Sequence, residues 1–347
     1  MKVISLGFRT DLMLRTMAGS AVDDRPDHLV VRTPDNPAFR WGNFVLFDRP
    51  PGPGDGLRQQ AVFEAEFPGA PYVALGADGT EGDAGDPAET ARLGITAEVS
   101  TVLTADRLAP PSRPLPAGAE IRPLAGDDDW AQALELRRAM DEGAQPPAGH
   151  REFTVRRVAE ARRLCEAGHG AWFGAFVDGR LRAGAGVLGD GGGTARYQNV
   201  ETHPGFRGRG LASHVVHRAG ARALSRPGTR TLVIVADPAY HAIRVYRALG
   251  FADAERQVHL TRLPREQRTG RAAAPPSPPA RAPAADRPAS RGATAPPPRN
   301  TPGPRGIRAP RRSRPRRGPR RSGRGRPCRR PGGDGSPRRT APASGAR

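Results

Sequence analysis

The stretch Val200-Glu201-Thr202-His203-Pro204-Gly205-Phe206-Arg207-Gly208-Arg209-Gly210-Leu211-Ala212 passes from a strand-like run through a glycine-rich turn into a helical one. The first turn of a helix presents N–H groups that have no intrahelical partner and carry a partial positive charge. Glycines at 208 and 210 let a phosphate approach the backbone, and Arg207 and Arg209 add charge. The stretch therefore predicts an anion site suited to a pyrophosphate, built from Arg207, Gly208, Arg209, Gly210, Leu211 and Ala212. Two familiar phosphate loops are excluded. No GxxxxGK followed by Ser or Thr occurs, and Ser213 stands where a dinucleotide fingerprint needs its third glycine or alanine.

Outward from the loop, the patterning gives a mixed order of elements. Upstream, 119–124 reads as a strand, 127–140 and 151–167 as helices, and 171–177 and 181–188 as strands joined by Asp178-Gly179, a strong hairpin signal. The strand 195–202 leads into the loop. Downstream, Leu211, Val215 and Ala219 share a helix face, 231–236 is an apolar strand, and Ala242, Val245, Tyr246 and Leu249 repeat at helical spacing before Gly250. A last strand is expected over 257–263. This order predicts an α/β (α+β) fold with a mixed, mostly antiparallel sheet covered by helices.

Arg207, Gly210 and Ala212 satisfy a loop of Arg or Gln, two residues, Gly, one residue, then Gly or Ala. Together with Tyr246 and Leu249-Gly250-Phe251 on the later helix, this resembles the GNAT family of N-acetyltransferases over 119–263. The resemblance implies acetyl-CoA as cosubstrate, no metal, and an amine acceptor that attacks the thioester directly. Backbone groups of Val200 to Thr202 would hold the pantetheine where this strand splays from 231–236. Tyr246 would protonate the leaving sulfur. Glu201 would take the amine's proton, directly or through water, with His203 as the alternative base, although a histidine directly before Pro204 reads first as a turn former. Ala239 departs from the family pattern, in which an asparagine contacts the pantetheine; Asp237 or Tyr240 could substitute. Cys165 reads as packing, and Trp172 and Phe173 as strand core.

The first part of the chain, 1–108, reads as a smaller α/β domain. Strands are expected at 28–32, 39–47, 72–75 and 98–104, and helices at 10–17 and 56–67. Its end, Ala91-Arg92-Leu93-Gly94-Ile95 and then Val102-Leu103-Thr104, echoes Arg247-Ala248-Leu249-Gly250-Phe251 and then His259-Leu260-Thr261. The echo predicts a degenerate GNAT-like repeat that has lost its phosphate loop, with Trp41 and Phe44 as candidate walls of an acceptor pocket. Four prolines in 109–118 predict a linker between the two parts.

The net charge of +20 belongs to 264–347, which holds 23 arginines against Glu266, Asp286 and Asp334; the rest is neutral. That segment lacks the apolar residues needed to offset chain entropy and is read as a disordered tail. Its arginines give non-specific polyanion binding, but no aromatic side chain interleaves them for base stacking. Two isolated cysteines and apolar runs too short for a membrane span lead to the expectation of a cytoplasmic protein. The composition leaves two alternatives to an enzyme: a catalytically weak acyl-CoA-binding regulator, and a nucleic-acid-associated protein acting through its tail.

Overall fold

A computed structural model describes residues 1–140 and 149–264. The tail expected to be disordered lies outside the described residues from 265 onward. In chain order the elements are α1 (Leu6–Met17), β1 (Ala21–Asp24), β2 (His28–Arg32), β3 (Phe44–Phe47), α2 (Asp55–Glu66), β4 (Val73–Ala77), α3 (Pro87–Arg92) and β5 (Thr96–Ala105). They continue with β6 (Ala119–Pro123), α4 (Gly126–Met140), α5 (His150–Glu166), β7 (Gly170–Val177), β8 (Arg180–Leu188), β9 (Thr194–Thr202), α6 (Leu211–Leu224), β10 (Thr231–Ala236), α7 (Ala242–Ala248) and β11 (Ala252–Arg262).

All strands join one 11-stranded sheet, ordered β1-β2-β3-β4-β11-β5-β10-β9-β8-β7-β6. Pairing is antiparallel except for β3 with β4 and β9 with β10. The order is that of a repeat, because β1-β2-β3-α2-β4-α3-β5 matches β7-β8-β9-α6-β10-α7-β11 element by element, including the single parallel pair in each half. The halves exchange their last strands. β5 of the first half pairs with β10 of the second, β11 pairs with β4, and β5 and β11 pair with each other.

Packing follows the exchange. Leu103 and Ala105 of β5 sit in the core that holds Val215, Leu232 and Tyr246, while Val258 and Leu260 of β11 sit in the core of Phe8, Val45 and Phe63. Each half thus lends the other one buried face of a strand. Helix α6 lies close on the sheet at Gly220, where an added Cβ would stand 2.2 Å from the Tyr197 hydroxyl. That hydroxyl donates to the Val216 carbonyl at 2.6 Å.

Three expected elements differ. The helix expected from residue 10 begins at Leu6, where the Ser5 side chain accepts from the Phe8 N–H as its cap. The strand expected at 39–47 forms only over β3, because the Asn43 side chain donates to the Asn36 and Phe39 carbonyls and winds 40–42 into a 3-10 turn. The closing strand begins earlier than expected, at Ala252, because β5 gives its first residues a partner. The Asp178-Gly179 hairpin forms with both residues at positive φ, 51° and 72°.

Candidate active site

Strands β9 and β10 are paired only from Thr194↔Thr231 to Arg196↔Val233. Beyond that point they part, and both run on, to Thr202 and Ala236. A bulge in β9 widens the opening: Gly184 faces Glu201 and Gly186 faces Gln198, which leaves an extra residue at the position where Asn199 takes φ 47°. A bulge bends its strand and turns the residues beyond it. Here it turns Val200 to Thr202 into the notch.

The notch opens into a cleft of about 380 Å³. Val200, Glu201, Thr202, Arg207, Gly208, Gly210, Leu211, Ala212 and Tyr246 all line it. Arg209 does not, since its guanidinium lies 4.6 Å over the Phe206 ring. Gly208 and Gly210 have φ of 75° and 83°, a region in which other residues are strained. A Cβ at Gly208 would meet nothing within 4 Å, so the backbone there borders open space. Helix α6 starts at this loop with no acidic residue in its first turn. The exposed Arg207 is anchored by its Nε, which donates to the Thr202 carbonyl at 3.3 Å. Open backbone, a helix start and a cation together fit a pyrophosphate.

The segment read as a linker contributes to this cleft. Ser112 and Arg113 line it, and Arg113 donates to the Gly208 carbonyl at 2.9 Å. Proline richness concealed this role, because a linker and an ordered strap have the same composition. Of the two substitutes considered for the missing asparagine, Tyr240 lines the cleft. The Asp237 carboxylate is engaged by the Ala239 N–H at 2.8 Å.

Tyr246 is 6 % exposed, and burial, with a smaller contribution from Tyr240, pushes its phenol up to about 12. Glu201 is 8 % exposed and paired with Arg137 at 3.3 Å. His203 shapes the turn, with its Nδ1 accepting from the Gly205 N–H at 3.2 Å. Burial raises the Cys165 thiol to about 11, well away from a reactive thiolate.

A second cavity, about 290 Å³, lies on the other side of Glu201, which lines both spaces. Trp41 and Phe44 line it, as does Trp172, which had been read only as strand core. Its charged wall was not foreseen: Asp11 and Arg15 come from α1 and Arg157 from α5. Residues so far apart in sequence give no local signal.

The first half has a counterpart of the phosphate loop in which Gly54, at φ 82°, precedes α2 as Gly210 precedes α6. There the position is filled from within. The Glu89 carboxylate accepts from the N–H groups of Gly54 and Gly56, both at 2.9 Å. A side-chain anion thus satisfies the N–H groups that a pyrophosphate would use. The echo of 91–95 with 247–251 puts Val245 at the place of Glu89, and Val245 lines the open cleft.

A split parallel pair leads into a glycine-rich helix start at this cleft. Residues 130–251 match the acetyltransferase (GNAT) family. In fold the chain is similar to a functionally unknown conserved protein from Staphylococcus epidermidis, with a TM-score of 0.56 at 12% identity over 71% of this chain and 94% of that one. It is similar also to a GCN5-related N-acetyltransferase from Kribbella flavida, with a TM-score of 0.51 at 16% identity over 75% and 96% of the two chains. Among curated proteins no match is found. No helix among the described residues is long and apolar enough to cross a membrane.

Proposed function

We propose that the chain is an N-acyltransferase that moves an acetyl or short acyl group from acyl-CoA to an amine, with one active cofactor site. The observation that carries this reading is a shared wall. Glu201 lines both the cleft at the 207–212 loop and the aromatic cavity, which in this reading hold the donor and the acceptor.

In this reading the N–H groups of 208–212 and Arg207 hold the pyrophosphate, and the bulged backbone of Val200 to Thr202 holds the pantetheine arm. The acceptor nitrogen forms a C–N bond to the thioester carbon as its proton passes towards Glu201. The C–S bond then breaks, and the Tyr246 hydroxyl donates to the departing sulfur. Fixed N–H groups aimed at the carbonyl oxygen stabilise the charge that develops there. The first half supplies walls to the acceptor cavity and no second cofactor site, because Glu89 occupies the equivalent position.

Acetyl-CoA at about 100 times its Kd is expected to stabilise the protein by about 2.7 kcal/mol. For a chain of this size that is a rise in melting temperature of roughly 5–10 °C. Arg207→Glu is expected to abolish the rise, and the exposed position makes the substitution tolerable to the fold. No shift in the wild-type protein would overturn the proposal. CoA release with a panel of amines tests the second half of the reading, since binding without turnover on any amine would identify an acyl-CoA-binding regulator.

A further inference from the structure

The lining of the aromatic cavity has a built-in excess of positive charge at Arg15 and Arg157. Arg15 and Arg157 share one carboxylate, with Glu160 Oε1 accepting from Arg15 at 3.2 Å and also from Arg157. Both guanidinium groups stack on the Phe39 ring, at 4.7 and 4.4 Å from its centre. The remaining lining charges are matched, since Arg196 pairs with Asp11 at 3.1 Å and Arg137 with Glu201 at 3.3 Å. His259 is half-buried, and burial holds its pKa below the usual histidine value.

Arg15 is 4 % exposed, and its Nη1 is buried with no hydrogen-bond partner. A buried donor of a charged group left unsatisfied costs more than most single contacts contribute. Burial first, and the Arg15 charge second, pull Arg157 down to about 10. An anion between the two would relieve both penalties. A planar carboxylate matches a guanidinium pair in size and geometry.

Arg15 and Arg157 also line a small neighbouring void of about 10 Å³, whereas Glu201 also lines the cofactor cleft. All three tryptophans of the chain, Trp41, Trp130 and Trp172, line this cavity.

We infer that the acceptor is an amine whose molecule also carries an aromatic or bulky apolar body and a carboxylate, the carboxylate seated on Arg15 and Arg157 and the amine turned to Glu201. The inference rests on the acyl-transfer reading of the cleft for its word "acceptor". Recognition by the two arginines is read separately from turnover.

Because every tryptophan borders the cavity, intrinsic fluorescence of the full chain reports its occupancy. The probes are two matched pairs, 4-(aminomethyl)benzoate with benzylamine and phenylalanine with 2-phenylethylamine, titrated with and without acetyl-CoA. In at least one pair the acid is expected to bind about tenfold tighter or better than its decarboxylated partner, equivalent to about 1.4 kcal/mol. Which pair shows the gain tells whether the carboxylate sits beside the amine or across the ring from it. Arg157→Met is expected to level that pair, and Arg157→Lys to keep part of the difference. Arg15 is buried against Glu160, so its variant is the double change Arg15→Met/Glu160→Gln, which removes both charges together; if it does not fold, Arg157→Met decides alone. The inference is overturned if the acids bind no tighter than the amines, if no probe alters the fluorescence, or if the acid preference survives Arg157→Met. The acetyl-CoA melting shift, measured in the same samples, separates the two readings. A retained shift without acid preference sinks this inference, and acid preference without a shift sinks the acyltransferase.

Discussion

Tyr246→Phe is expected to lower kcat by about 100-fold, the lower end of what a positioned general acid contributes, while KM for acetyl-CoA stays within about threefold. The ring fills the core beside Phe251, at 6.4 Å between centres, and phenylalanine keeps that packing. The melting temperature should therefore hardly move, which separates a chemical role from a structural one. The pH dependence gives a second readout. A buried phenol is disfavoured as its anion, so with its pKa pushed up to about 12 the neutral, donating form persists through the range in which amine acceptors lose their protons. Loss of activity through this group would begin only above about pH 11. Such a phenol is a weak acid towards a thiolate whose conjugate acid lies near 8.5. In the proposed mechanism its contribution is a hydrogen bond to the sulfur as the C–S bond opens, with the proton delivered late. A kcat in Tyr246→Phe within about threefold of the unchanged protein would overturn the assignment, and a descending limb near pH 8 to 9 that disappears in this variant would instead overturn the raised pKa.

The legible parts of the sequence were those with local chemistry. The glycines before α6 need positive φ, and Asp178-Gly179 needs a tight turn; both are written in adjacent residues. The apolar spacing of Leu211, Val215 and Ala219 likewise marks a face that is buried in the core. What stayed hidden was non-local. β1, with the sequence Ala21-Val22-Asp23-Asp24, has almost no apolar signal, because it is an edge strand whose residues are mostly exposed. The aromatic cavity draws on α1, α4, α5, β9 and β11, so no window of sequence contains it. Trp41 and Phe44 gave a hint, but Arg15 and Arg157 gave none, since a buried arginine looks like a surface one until its partners are known. Glu89 shows the same limit, because an acidic residue in a helix's first turn reads as favourable for that helix. Only the fold reveals that it reaches the start of α2 instead.

Strand exchange has a consequence for stability that two separately folding domains would not share. Leu103 is fully buried, belongs to the first half by sequence, and packs in the core of the second. Leu103→Ala is expected to cost about 2–5 kcal/mol, the range for a large apolar side chain removed from a packed interior. The cost should appear in the melting of the whole described body as one transition. The same reasoning applies to Leu260, which β11 carries into the first core. Ion pairs also cross the halves, Arg15 with Glu160, which is buried, and Arg196 with the half-buried Asp11, at 3.2 and 3.1 Å. Removing one partner leaves a charge buried without its match. Chains divided within 106–118 should therefore fail to fold apart, since β5 would lose both of its neighbours and β4 and β10 would each gain a raw edge. Mixed together, they should regain the acetyl-CoA melting shift. Calorimetry of the intact chain and of Leu103→Ala decides the matter. Two separate transitions, with only the earlier sequence half responding to the substitution, would show that each half closes its own core and that the exchanged strands are accessory to both.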